Sequence, residues 1–157
     1  MKKFSLLQKV LLGILFVFLM IQFIRPKKNT GEAFGNEDIL NAISVPEDVK
    51  NILIASCYDC HSNFTDHMWY ENVQPIGWWI ANHIKEGKDE LNFSVFNSYT
   101  DKRKAHKLEE IAELVEEDAM PLSSYTLVHR QAKLNTEQKE KIISWANTEQ
   151  QKLQKPE

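Results

Sequence analysis

The only two cysteines of the chain, Cys57 and Cys60, flank Tyr58-Asp59 and are followed at once by His61, so the run reads C-x-x-C-H. Two thiols at that spacing can add across the two vinyl groups on one edge of a porphyrin, and the next residue then brings an imidazole under the iron. This is the attachment pattern of c-type haem, with one haem held covalently by Cys57 and Cys60 and its iron ligated by His61. A structural zinc site would need four protein ligands, and no second C-x-x-C is present. A dithiol redox pair of the thioredoxin kind sits where a strand enters a helix, and no strand pattern precedes this one.

An iron held on one side by an imidazole needs a sixth ligand or an open site. Met120-Pro121 lies 59 residues beyond His61, and the proline keeps the methionine out of any continuing helix. A thioether opposite an imidazole is the arrangement of electron-transfer cytochromes and raises the reduction potential. The ordinary use of a methionine is to fill an apolar gap. His83 and His129 compete with Met120 for the distal position, whereas His67 stands too soon after His61 to reach the opposite face. His106 sits among Lys102, Arg103, Lys104 and Lys107 and is expected in solvent. A peroxidase would need an open distal face with an acid–base group beside it, and nothing in the sequence places one, so the chain is not expected to be an enzyme.

Several elements must carry these residues. From Phe4 to Ile24 the sequence is almost wholly apolar, close to the roughly 20 residues a helix needs to cross a bilayer, which predicts a transmembrane anchor over 4–25. Phe23-Ile24-Arg25-Pro26 does not suit a signal-peptide cleavage site, and no cysteine nearby offers a lipoprotein linkage. Lys2, Lys3 and Lys9 on one side balance Arg25, Lys27 and Lys28 on the other, so charge leaves the orientation open. Haem c attachment takes place on the outer face of the bacterial cytoplasmic membrane. The expectation is therefore a single-pass protein with its haem domain on the periplasmic, outer side.

A polar linker is expected over 26–43 and one small domain over 44–150. Pro46 suits the first turn of a helix whose face Val49, Ile52, Leu53 and Ser56 leads into Cys57. Further helices are predicted over Ile76–Glu86, with Gly87 as a left-handed cap, over Asp101–Glu117, and over Thr136–Lys152 with Thr136 as N-cap. No alternating run suits a strand, so the fold class is all-α. Beyond Lys28 there are 13 basic residues against all 22 acidic ones, a balance of −9 that argues against nucleic acid as a partner.

These residues together resemble the small bacterial haem-binding domain family. The likeness runs through Cys57 to Thr65 (Cys-x-x-Cys-His-Ser-Asn-x-Thr), Trp69-Tyr70, Pro75, Trp78-Trp79, His83-Ile84, Gly87 and Leu91-Asn92-Phe93-Ser94. It continues through Met120-Pro121-Leu122, Tyr125, His129 and a closing helix with Ile142 and Trp145, covering roughly 45–148. Met68 stands where the family usually has proline, and Phe96 where it usually has tryptophan. The resemblance implies a cytochrome c-like helical domain in which Cys57 and Cys60 form thioether links, His61 is the proximal ligand and Met120 the distal one.

Subsidiary roles follow from chemistry. The second ring nitrogen of a proximal histidine needs an acceptor, for which the Pro75 carbonyl or a neighbour is available, unless Pro75 only shapes the turn before its helix. Trp69, Trp78, Trp79 and Tyr125 could pack on a porphyrin or simply in the core. Glu109, Glu110, Glu113, Glu116, Glu117 and Asp118 form either a solvated helix face or an acidic rim that steers a basic redox partner. The expected function is that of a membrane-anchored monohaem c-type cytochrome transferring single electrons. The alternative is a haem-based sensor or small-ligand binder with a displaceable distal ligand.

Overall fold

Several helices of this chain begin where a polar side chain closes free N–H groups of the first turn, and others begin at a proline or a loop without such a cap. A computed structural model describes residues 4–154, and within them eight α-helices and three 3-10 turns are joined by loops. The described residues contain no β-strand, only an isolated bridge between Thr30 and Phe64. The all-α expectation holds.

Ser5 accepts from the Gln8 backbone N–H while the Gln8 side chain accepts from the Ser5 N–H, and this reciprocal cap starts α1 (Leu6–Ile21). At its other end Phe23 N bonds to Met20 O and Ile24 N to Ile21 O, a tightened turn ahead of Arg25-Pro26. The 16 residues of α1 rise about 24 Å, short of the roughly 30 Å of a hydrocarbon core. No helix among the described residues is long and apolar enough to cross a membrane. The helix is shorter than the stretch 4–25 because Ser5 caps it and the turn before the proline unwinds it; Lys2 and Lys3 lie outside the described residues. None of its residues is buried.

The stretch 26–43 does not behave as a free linker. The Asn29 amide donates to Ser62 O at 2.9 Å and to Thr65 Oγ1 at 3.0 Å, Thr65 N returns a bond to Asn29 O, and Gly31 N bonds to Asn63 O. Asp38 caps the short α2 (Ile39–Ala42), and both Asp38 and Ile39 are fully buried. Its polar composition reads as loop, yet its backbone groups find their partners on the loop after His61.

Pro46 immediately precedes α3 (Glu47–Ser56), and Glu47 and Asp48 in the first turn complement the helix dipole. The anticipated face, Val49, Ile52, Leu53 and Ser56, is buried. Cys57 breaks the helix at φ −127° and the motif resumes as the single turn α4 (Tyr58–His61). Helix α5 (Ile76–Glu90) runs past Gly87, which is not a left-handed cap, since no glycine has positive φ. Thr100 caps α6 (Asp101–Glu116), and the short α7 (Ser123–Val128) follows the Met120 turn. Helix α8 (Thr136–Gln154) is capped by Asn135 rather than Thr136: Gln138 N donates to Asn135 Oδ1 at 2.9 Å and Asn135 N to Gln138 Oε1 at 3.0 Å.

The long pair α6 and α8 packs side by side, with Leu108, Ala112, Trp145 and Ala146 in one cluster and Val115 and Ile142 in another. Trp145 Nε1 donates to Ser44 O at 2.8 Å, which ties α8 to the start of α3. Helix α3, which leads into the motif, packs against α8.

Candidate haem-binding site

Helix α3 supplies the register that aims the motif. Cys57 and Cys60 are both free thiols, and with His61 and Met120 they line one cavity of about 410 Å³. Cofactor pockets fall in the same range, about 300–1,000 Å³. Its walls are apolar side chains on facing elements: Leu53 from α3, Phe93 beyond α5, Ile111, Leu114 and Val115 from α6, and Ile142 from α8. Glu86, Glu90 and Glu110 lie along its edge.

The His61 ring is oriented by its backbone surroundings. Its Nδ1 stands 3.0 Å from Leu91 O, and because a carbonyl only accepts, Nδ1 carries the proton and Nε2 keeps its lone pair. Leu91 is extended at the end of α5, so its carbonyl is not spent on a helical bond. Desolvation by burial holds the imidazole pKa below its ordinary value, against opposing bonds from the Leu91 and Gly87 backbone. The ring is therefore neutral, the form that binds a metal. Pro75 does not serve as its acceptor: the Pro75 carbonyl takes Trp79 N at 3.2 Å and the residue sets the turn into α5.

Two close approaches hold the motif in place. A Cβ added to Gly87 would lie 3.0 Å from Cys60 O, so α5 crosses the motif backbone to backbone. Tyr58, between the cysteines, is buried and donates to Asp38 Oδ1 at 2.7 Å. Burial pushes the Cys57 thiol up to about 12, helped by its neighbour Cys60, and burial with the Asp59 charge pushes Cys60 up to about 11. Both are neutral thiols at physiological pH, unlike the low-pKa thiolates of dithiol oxidoreductases. No group of three or more His, Cys, Asp or Glu among the described residues is arranged to hold a metal ion by itself.

Met120 reaches the cavity through a turn. Asp118 adopts φ 59° after α6, and Ala119 N and Met120 N both bond to Leu114 O, at 2.9 and 3.0 Å. The chain then enters α7, where Tyr125 OH donates to Asp59 Oδ2 at 2.7 Å across the cavity edge.

The other candidates separate. His83 lines the cavity, with Nδ1 donating to Trp79 O of its own helix at 2.9 Å. His129 does not: its Nε2 is 2.6 Å from Tyr70 OH, its ring stacks on Tyr125, and it faces a second cavity of about 320 Å³ that neither His61 nor Met120 lines. His67 pairs with Glu71 elsewhere. None of the tryptophans lines the haem cavity, so of the four aromatic residues considered for the porphyrin only Tyr125 reaches it. Glu110 alone of the acidic run lies on the cavity edge; Glu86 and Glu90 of α5 complete it.

A family model described as a haem-binding domain matches residues 16–148. The chain belongs to that family. The match begins inside α1 and includes all of 26–43, so this haem-binding domain takes in the segment that folds onto the motif loop. No curated protein and no solved structure matches the chain. The residues of this domain suit the group: two adjacent neutral thiols, a neutral imidazole with a free nitrogen and a thioether, all on one apolar cavity.

Sequence reasoning missed the Leu91 carbonyl, the Gly87 contact, the Tyr125–Asp59 bond and the acids of α5. Only the last left a signal, the spacing of Glu86 and Glu90 on one helix face. The others depend on backbone positions that side-chain patterns do not encode.

Proposed function

We propose that the protein is a membrane-anchored monohaem c-type cytochrome that carries single electrons on the outer face of the cytoplasmic membrane. The observation that carries this reading is the presence of Cys57, Cys60, His61 and Met120 on one apolar cavity. Bound haem supplies a one-electron iron couple. Cys57 and Cys60 would each form a thioether, His61 would hold the iron through Nε2 with Leu91 O fixing its tautomer, and Met120 would hold the distal side and raise the potential. The cavity walls are largely apolar, with His83, Glu86, Glu90 and Glu110 among its remaining titratable groups, and the role proposed is that of a carrier.

The anchor is α1 with its flanks. Its apolar side chains are exposed from Leu6 to Met20, and the apolar stretch continues through Phe23 and Ile24. A helix a few ångströms short of the bilayer core is accommodated by local thinning and by snorkelling of Lys9. Glu86, Glu90 and Glu110 form an acidic edge that suits a basic redox partner.

The deciding experiment expresses the full chain with haem-maturation machinery, denatures it and follows haem through electrophoresis. Haem is expected to migrate with the polypeptide and to give a reduced low-spin spectrum. Haem absent from the denatured chain, while a control cytochrome matures, would overturn covalent attachment.

A further inference from the structure

Helix α1 is fastened to the haem domain at the point where it leaves its apolar stretch. Gln22 Nε2 donates to Gln74 O at 3.0 Å, Gln74 N donates to Gln22 Oε1 at 2.8 Å, and Trp78 Nε1 donates to Ile24 O at 2.7 Å. Gln74 is fully buried, so the reciprocal pair is shielded from competing water. Three hydrogen bonds therefore hold the first turn of α5 against residues 22–24. If α1 lies in a bilayer, that turn has to lie at the level of the headgroups.

The side chains exposed at that place are large and apolar. Ile76 is 45% exposed, Trp79 50%, Val128 58% and Trp69 77%. Ile76, Trp79 and Val128 line one groove of about 320 Å³ together with Tyr70, and the Trp69 ring meets Tyr70 edge-on at 6.0 Å. A contiguous exposed apolar patch marks an interaction surface, and tryptophan is the side chain favoured at the membrane–water interface.

Charge next to the patch selects the kind of surface. A smaller indentation of about 220 Å³ is lined by Arg25, Lys27 and Lys28 and by His67 and Gln74. The Nε2 atoms of His67 and Gln74 are buried with no partner. Glu71 also lines it, but its carboxylate is already taken by the His67 ring and by Met68 N. Three cations beside an unpaired amide N–H group suit an anionic headgroup.

We propose that the face formed by Trp69, Ile76, Trp79 and Val128 docks into an anionic lipid surface beside α1. This rests on the reading of α1 as membrane-embedded. The domain is then held at one tilt on the bilayer instead of swinging on a tether. Cys60 and Tyr125 line both the haem cavity and the apolar groove, so this docking keeps the haem-carrying edge next to the lipid.

The test uses the full chain labelled with 5-fluorotryptophan, reduced, in nanodiscs of phosphatidylglycerol and phosphatidylethanolamine doped with a lipid spin-labelled near the headgroup. The fluorine signals of Trp69 and Trp79, assigned by Trp→Phe variants, are expected to lose most of their intensity. The buried Trp145 signal serves as the internal reference. Chain retained in the nanodisc with Trp69 and Trp79 broadened no more than Trp145 would overturn the docking and leave the anchor reading standing. Chain that fails to enter the nanodisc, or is extracted from membranes by alkaline carbonate, would overturn the anchor reading and the docking with it.

Discussion

The two sides of the haem cavity are held by different means. The attachment side is a direct hand-off from α3 into α4, with α5 in backbone contact at Gly87 and the His61 ring bonded to Leu91 O. The Met120 side is a turn between α6 and α7, closed by two bonds to a single carbonyl, Leu114 O, and followed by a helix with no buried residue. The difference teaches that the ring's tautomer and the spacing of the thiols are set by packed secondary structure, while the place of the Met120 thioether is set by a turn between helices.

Removing the attachment chemistry has the largest expected effect. The double substitution Cys57→Ala and Cys60→Ala should abolish haem that survives denaturation, read directly by haem staining. Next comes the packing of that side. Gly87→Val would press a branched side chain on the Cys60 backbone, where even a Cβ meets the carbonyl oxygen at 3.0 Å. A loss of about 1–3 kcal/mol in urea unfolding is expected, with reduced haem incorporation.

On the opposite side, Met120→Ala should retain the haem while lowering the reduction potential and opening the reduced iron to carbon monoxide. An unchanged spectrum would remove Met120 as ligand and promote His83, the histidine besides His61 on the cavity. Wild-type protein that binds carbon monoxide as fast as the variant would favour the sensor reading.

A smaller effect is expected from Tyr125→Phe, which deletes the 2.7 Å bond to Asp59 joining the two sides. A loss of about 1 kcal/mol, with faster carbon monoxide binding than wild type, would mark the bond as a brace on the Met120 turn. Equal carbon monoxide rates would confine its role to stability.

The smallest effect concerns the brace behind the motif. Burial raises the Asp38 pKa, against bonds from Tyr58 and Leu40 that lower it. With the folded value above an unfolded one of about 3.9, the folded state binds the proton more tightly. That contribution is fully present below the unfolded value and is lost as pH rises through the folded one. Stability of wild type minus that of Asp38→Asn should therefore fall as pH rises across that window, measured by chemical denaturation at a series of pH values.

Legibility differed between elements in a way that follows from physics. The buried faces of α3, α6 and α8 were readable because apolar side chains recur with the helical period, and Val49, Leu53, Leu108 and Ile142 are buried as that period requires. The ends were less readable. Gly87 looked like a cap because glycine commonly ends helices, but here it admits a neighbouring backbone; Asn135 took the capping position from Thr136 because Gln138 could return the bond. The stretch 26–43 read as linker because its composition is polar, although its backbone groups pair with the motif loop.

By itself, the amino-acid sequence determined the chemistry on offer and the fold class: a C-x-x-C-H run, a Met-Pro turn, an apolar helix at the start and amphipathic helices after it. These rest on residue type and on spacing along one chain, which are local properties. Only the tertiary structure decided which groups share a cavity, that Leu91 and not Pro75 holds the His61 proton, that His129 is turned away, and that α1 is bonded to α5. Each of these is a meeting of backbone or side-chain groups distant in sequence, fixed by how whole helices pack rather than by any residue's own preference.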